Sequence, residues 1–179
     1  MSRVGGALAL LALAGCPDDT WRHNSVTDKC YKIAPGYVGT GGCTEKCGAD
    51  ASLACIQSAD DHEYLYRWMM DEGIPGTPRQ VMWIGNYRAD DDTDGNWTGC
   101  TGGQTTTYTN WTKDRANAEP RNSLVNPDKP LQCALFDVSG WYSRECLYWY
   151  HCLCEHGTPT SAEFISFHER HLAEWMAPW

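Results

Sequence analysis

Three short runs carry the apolar density of buried strands: residues 81–85 (VMWIG), 131–138 (LQCALFDV) and 146–155 (CLYWYHCLCE). Residues 58–73 (SADDHEYLYRWMMDEG) follow a helical period instead, with Tyr64, Leu65, Trp68 and Met69 on one face. Ser58 is placed to cap that helix. Asp60 and Asp61 fall in its first turn, where the helix dipole favours negative charge, and Gly73 ends it. A second helical pattern follows the last cysteine. Thr160 and Glu163 have capping-box spacing, and Phe164, Ile165, Phe167, Leu172, Trp175 and Met176 form an amphipathic stripe. Such a terminal helix packs back on its domain, frays, or binds a partner.

Between these elements, residues 86–129 show little periodicity and much Gly, Thr, Asn and Asp. A loop of that length in a compact domain is functional or disordered. Trp83 at its start, with Trp97 and Trp111 inside it, argues for order, because disordered segments are poor in aromatics. No internal repeat or low-complexity tract is present.

Residues 1–15 read as a targeting segment. Arg3 supplies a positive start, Val4 to Ala14 is apolar but too short to span a bilayer, and Ala12-Leu13-Ala14 is a small-x-small cleavage site. Leu13-Ala14-Gly15-Cys16 also resembles the bacterial lipobox, which would place a lipid anchor on Cys16. Both readings export the chain: a secreted, extracellular protein in the first, a bacterial surface or periplasmic lipoprotein in the second. No later run approaches transmembrane length. The organisation that follows is a leader over 1–15, one domain over 16–156, and a tail over 157–179.

Composition sharpens this. Ten cysteines in 179 residues, an even number, fit five disulfides in an oxidising compartment. Nine Trp and nine Tyr against three Phe suit half-buried sites and binding surfaces. The net charge of -9 excludes nucleic-acid binding through a basic field and disfavours anionic membranes. No serine sits in a nucleophile elbow, no helix carries a His-Glu pair at zinc spacing, and no glycine-rich loop opens a helix, so no enzyme is expected. The run HCLCEH, residues 151–156, reads either as a metal cluster or as a closing disulfide-bonded strand.

The order of these features resembles a C-type lectin-like domain of the long form. The resemblance rests on Cys16-Pro17, Trp21, Cys30-Tyr31, the Leu53-Ala54-x-Ile56 approach to the helix, and Trp83-Ile84-Gly85. It continues through Trp97, Tyr108-x-x-Trp111, Glu119-Pro120, Cys133-Ala134, Trp141, Cys146 and Cys154-Glu155. It implies an α+β fold with two flanking helices, two small antiparallel sheets, adjoining termini and a protruding long loop. It also implies disulfides Cys16–Cys30, Cys47–Cys154 and Cys133–Cys146. Cys43, Cys55, Cys100 and Cys152 then remain; of three possible connectivities, Cys43–Cys55 with Cys100–Cys152 is the expectation. With Cys154 claimed by a bridge and Cys152 having available partners, disulfides are favoured over a metal in HCLCEH. Lipidation of Cys16 would compete with its bridge to Cys30.

Sugar-binding relatives share one calcium ion between protein and sugar hydroxyls. A Glu-Pro-Asn or Gln-Pro-Asp triplet, a following acid and a Trp-Asn-Asp triplet supply its oxygens. By that resemblance the ligand site here would comprise Glu119, Pro120, Arg121, Asn122, Asp128, Trp141, Tyr142 and Ser143, with Glu119 and Asp128 the metal ligands if calcium binds. Arg121 offers no acceptor, and Tyr142-Ser143 replace Asn-Asp. The expectation is therefore an exported recognition module that binds a glycan or protein without the usual calcium site. The alternative is a calcium-dependent lectin using Glu119-Pro120. In the plainer reading of that pair, it shapes a turn and Glu119 pairs with Arg121. Asp90, Asp92, Asp94 and Gly95 form half of a calcium-loop pattern, but Thr101 stands where its closing Glu belongs. Asn96-Trp97-Thr98 and Asn110-Trp111-Thr112 are N-glycosylation sequons.

Overall fold

The computed structural model of the chain describes residues 16–72, 81–88, 97, 99–113, 119–120 and 132–156. The leader, the tail, Gly73, Asp90 to Asn96, Thr98, Arg121, Asn122 and Asp128 lie outside the described residues.

Chain order is β1 (Arg22–Asn24), β2 (Lys29–Val38), α1 (Thr40–Cys47), β3 (Ala51–Leu53), α2 (Ala59–Glu72), β4 (Met82–Arg88) and β5 (Gly99–Cys100). A 3-10 turn (Thr101–Gly103), β6 (Gln132–Asp137), β7 (Gly140–Glu145) and β8 (Tyr150–His156) follow. The sheet runs β1-β2-β8-β4-β6-β7, with β3 also on β8 and β5 on β4. Two antiparallel groups, β1-β2-β8-β3 and β5-β4-β6-β7, meet where β4 pairs with β8 in parallel. This is the disulfide-rich α+β architecture that the resemblance implies.

The period of two in the strands sorts side chains between two cores. On the α1 face, Trp83, Leu135, Tyr142, Cys152 and Cys154 pack with Cys43 and Cys47. On the α2 face, Met82, Ile84, Phe136, Trp141 and Leu153 pack with Leu65 and Met69. Ser58 Oγ accepts from the Asp61 backbone N–H at 3.1 Å, which caps α2 as its sequence predicts.

One predicted strand shortens. Residues 146–149 form a turn, and pairing begins at Tyr150. Leu147, Tyr148 and Trp149 are exposed there, so apolar character alone overextended the element. The turn is held from beneath: Trp83 Nε1 donates to Val38 O (2.9 Å) and Tyr148 O (3.2 Å).

All ten cysteines are paired. Cys16–Cys30, Cys47–Cys154 and Cys133–Cys146 form as the resemblance implies. The other four pair as Cys43–Cys152 and Cys55–Cys100, not as Cys43–Cys55 and Cys100–Cys152. The reason is geometric. Cys43 and Cys47 stand one turn apart on one face of α1, a rise of about 6 Å. Cys152 and Cys154 stand two residues apart on one face of β8, a rise of about 6.6 Å. The rungs match, so helix and strand are joined by two parallel bridges with Cα–Cα separations of 5.7 and 5.4 Å. Cys55 and Cys100, both fully buried, tie the approach to α2 to β5.

Candidate functional site

The site expected at Glu119-Pro120 and residues 141–143 is assembled on β7. The Glu119-Pro120 peptide is cis. The Glu119 side chain is fully buried and turns into the sheet. Its Oε2 accepts from Ser143 N (2.9 Å) and Ser143 Oγ (2.7 Å). Its Oε1 accepts from Arg144 Nη1 at 3.4 Å, and the same Nη1 donates to Ser143 O at 2.6 Å. Arg144 also lies over the Tyr142 ring, 5.7 Å from its centroid. Among the described residues, the cation beside Glu119 is Arg144. Arg121, expected in that role, lies outside the described residues, as do Asn122 and Asp128.

Trp141 anchors the other side. Its backbone N–H donates to Asn110 O (2.8 Å), and Thr112 N donates to Trp141 O (3.1 Å). Its fully buried ring meets Trp111 and Tyr108 edge-on at 5.6 and 5.8 Å, and Trp111 meets Trp97 at 4.6 Å. This aromatic wall ties Trp97 and residues 99–112 to β7. Gly140 permits the approach: its φ is +122°, and a Cβ there would lie 2.8 Å from Asn110 O. From α2, His62 stacks on Phe136 at 5.1 Å, and Asn110 Nδ2 donates to His62 Nε2 at 2.7 Å. Burial lowers the His62 pKa against the pull of Glu63, which suits a neutral, accepting imidazole. The Asn110 sequon is thus half-buried and engaged on its amide, with Thr112 buried beside it.

The described residues around Glu119 do not fit a calcium ion. Both carboxylate oxygens already accept from β7, positions 142 and 143 are buried Tyr and Ser, and a guanidinium stands where an ion would need oxygen. Among the described residues, no group of three or more His, Cys, Asp and Glu could hold a metal. The HCLCEH run resolves likewise. Cys152 and Cys154 are in disulfides, and His151 turns to the strand junction, where its Nδ1 accepts from Gly36 N at 3.1 Å.

No protein-family model matches the sequence, and no curated protein sequence matches it either. Solved structures do match in shape. The mouse scavenger receptor C-type lectin carbohydrate-recognition domain superposes with a TM-score of 0.58 at 20% identity, over 82% of this chain and 99% of that one. This is the C-type lectin fold. A Ca2+-dependent type II antifreeze protein in its Ca2+-free form shares it at TM-score 0.55 and 16% identity, over 79% of this chain and 100% of that chain. A calcium-independent type II antifreeze protein does so at TM-score 0.56 and 16% identity, over 80% and 95%. The C-type lectin fold thus accommodates both calcium habits. Among the described residues, no helix is long and apolar enough to cross a membrane.

Sequence reasoning missed Arg144 and His62 as site residues. Arg144 had a usable signal, since it follows the Trp-x-x triplet directly on β7. His62 had none, because its tie to Asn110 spans 48 residues.

Proposed function

We propose that this chain is an exported, non-enzymatic recognition module on the C-type lectin fold, binding a glycan or protein ligand at its long-loop end without calcium. Residues 16–156 are its recognition domain, after a leader over 1–15 and before a tail over 157–179. The observation that carries the reading is the Glu119 carboxylate. It is spent on Ser143 and Arg144, so the acid that would share an ion with a sugar instead braces the loop against β7. Five disulfides support an oxidising, extracytoplasmic location.

The test is a glycan and protein binding screen of the oxidised protein, with and without EDTA, beside calorimetry with Ca2+. Binding that survives the chelator, with no calcium heat at micromolar concentrations, is expected. A micromolar calcium site that disappears in Glu119→Gln, with ligand binding lost in EDTA, would restore a calcium-dependent lectin.

A further inference from the structure

A second buried charge cluster lies away from Glu119, where β2, α2 and β8 meet. Lys29 Nζ donates to Cys55 O (3.3 Å), Gln57 Oε1 (3.1 Å) and Asp61 Oδ2 (3.4 Å). Glu155 Oε2 is 3.5 Å from the same ammonium. Lys29 is 17% exposed, Asp61 2% and Glu155 0%. With all three ionised, the cluster holds one negative charge too many for a buried site.

The two acids are not equivalent. Asp61 also accepts from Tyr31 OH (2.9 Å), Ser58 Oγ (3.0 Å) and Gln57 N (3.4 Å). Burial acts most strongly on it and upward, but Lys29, Tyr31 and Ser58 together hold its pKa below the usual value. Glu155 has far less support. Its Oε1 accepts from Gln104 Nε2 at 3.5 Å, and its Oε2 faces Lys29 without a hydrogen bond. Burial pushes its pKa up to about 7, against Lys29 and Gln104.

We propose that Lys29, Asp61 and Glu155 form a proton-binding clamp that fastens α2 to the sheet more tightly in mild acid than in mild base. Tyr31 on β2 stands opposite Glu155 on β8, and Asp61 is in the first turn of α2, so the cluster sits at the helix–sheet junction. A proton on Glu155 cancels the surplus charge and its repulsion with Asp61, and leaves the Asp61–Lys29–Tyr31 bonds intact. The other groups facing Glu155 stay fixed in charge over this range. Burial raises Tyr31 and keeps it protonated, while Ser52 on β3 and Gln104 after the 3-10 turn are neutral. His156, next on β8, turns its ring to Trp21 at 5.6 Å. Because α2 carries His62 to Asn110, the clamp also bears on the wall beneath the long-loop end.

The sign follows from proton binding. A carboxyl raised in the folded state makes that state bind more protons than the unfolded chain, so stability grows as pH falls through about 7. His62 and His151, lowered by burial, act oppositely as pH falls toward their ordinary value of 6.5, so the clamp is read against Glu155→Gln, which keeps both histidines. Urea unfolding at about pH 8.5 and 6.5 tests the clamp: the ratio of the wild-type folding constant to that of Glu155→Gln should rise about fourfold as pH falls, because the histidines act on both proteins alike. Independently, ¹³C NMR of wild-type glutamate carboxyls should show one resonance titrating near neutrality. An identical pH slope in Glu155→Gln, or every glutamate titrating at ordinary acidic pH, overturns the proposal.

Discussion

The paired bridges between α1 and β8 make a quantitative prediction. Cys43–Cys152 and Cys47–Cys154 span 109 and 107 residues, and taken singly each would restrain the unfolded chain by about 4 to 5 kcal/mol on the chain-entropy model. They are not independent. Once one is closed, the other adds only a small ring, four residues along the helix and two along the strand. A ring of roughly six residues is worth about 2 kcal/mol on the same model. Removing either bridge by a double Cys→Ala change should therefore cost about 2 kcal/mol from chain entropy, and removing both about 7. The lost sulfur packing falls on each bridge alike and cancels in the comparison. Guanidinium unfolding of the three variants, with the remaining disulfides intact, measures the excess of about 3 kcal/mol. A quadruple variant that no longer folds, beside two stable double variants, agrees with the reasoning. A quadruple variant costing no more than the sum of the two refutes it.

Four further outcomes follow from the sites above. Glu119→Gln keeps one acceptor for Ser143 but gives up the charge, and should lower stability by about 2 kcal/mol in urea unfolding. In the wild type, 1 mM Ca2+ should leave the urea midpoint unmoved, whereas a site of about 1 μM would add about 4 kcal/mol. Gly140→Ala forces a side chain into a left-handed conformation against Asn110 O, and should cost about 1–3 kcal/mol with a weakened near-ultraviolet signal from the tryptophan wall. His62 has a lowered folded pKa, so the unfolded chain binds its proton first and stability falls as pH drops below about 6.5. That decline should be shallower in His62→Gln by thermal unfolding; an unchanged decline would exclude His62 as its source.

What the sequence revealed depended on whether a local period carried the contact. Helix α2 was legible because Leu65 and Met69, on its predicted face, are the residues it buries. Strands β4 and β6 were legible as dense apolar runs. Helix α1 was not: its sequence TGGCTEKC has two glycines and no apolar stripe beyond its cysteines, and covalent bridges supply what packing elsewhere provides. Strand β2 was hidden by Pro35 and Gly36, which interrupt its alternation where the register shifts between Ala34 and Val38. At the expected site, Glu119, Trp141 and Ser143 were named through the family resemblance, and the fold brings them together. Arg144 on β7 was not read as a partner of Glu119, because a side chain's reach across a sheet leaves no trace in linear order.

The same physical device occurs at both buried acidic sites. An acid buried without water needs a counter-charge, and the chain provides one from its own strands: Arg144 for Glu119, and Lys29 for Asp61 and Glu155. An intrachain cation is held by the backbone whatever the surrounding calcium concentration, and a guanidinium is not lost to titration. The two sites differ in stoichiometry. Among the described residues, Glu119 faces one cation, Arg144. Lys29 must serve two carboxylates, and the excess falls on Glu155, the one with fewer donors. On this reasoning the long-loop brace should be indifferent to calcium, while the α2 junction should respond to protons. In a chain of net charge -9, three acids are thus kept inside the fold, each beside a cation of the same chain.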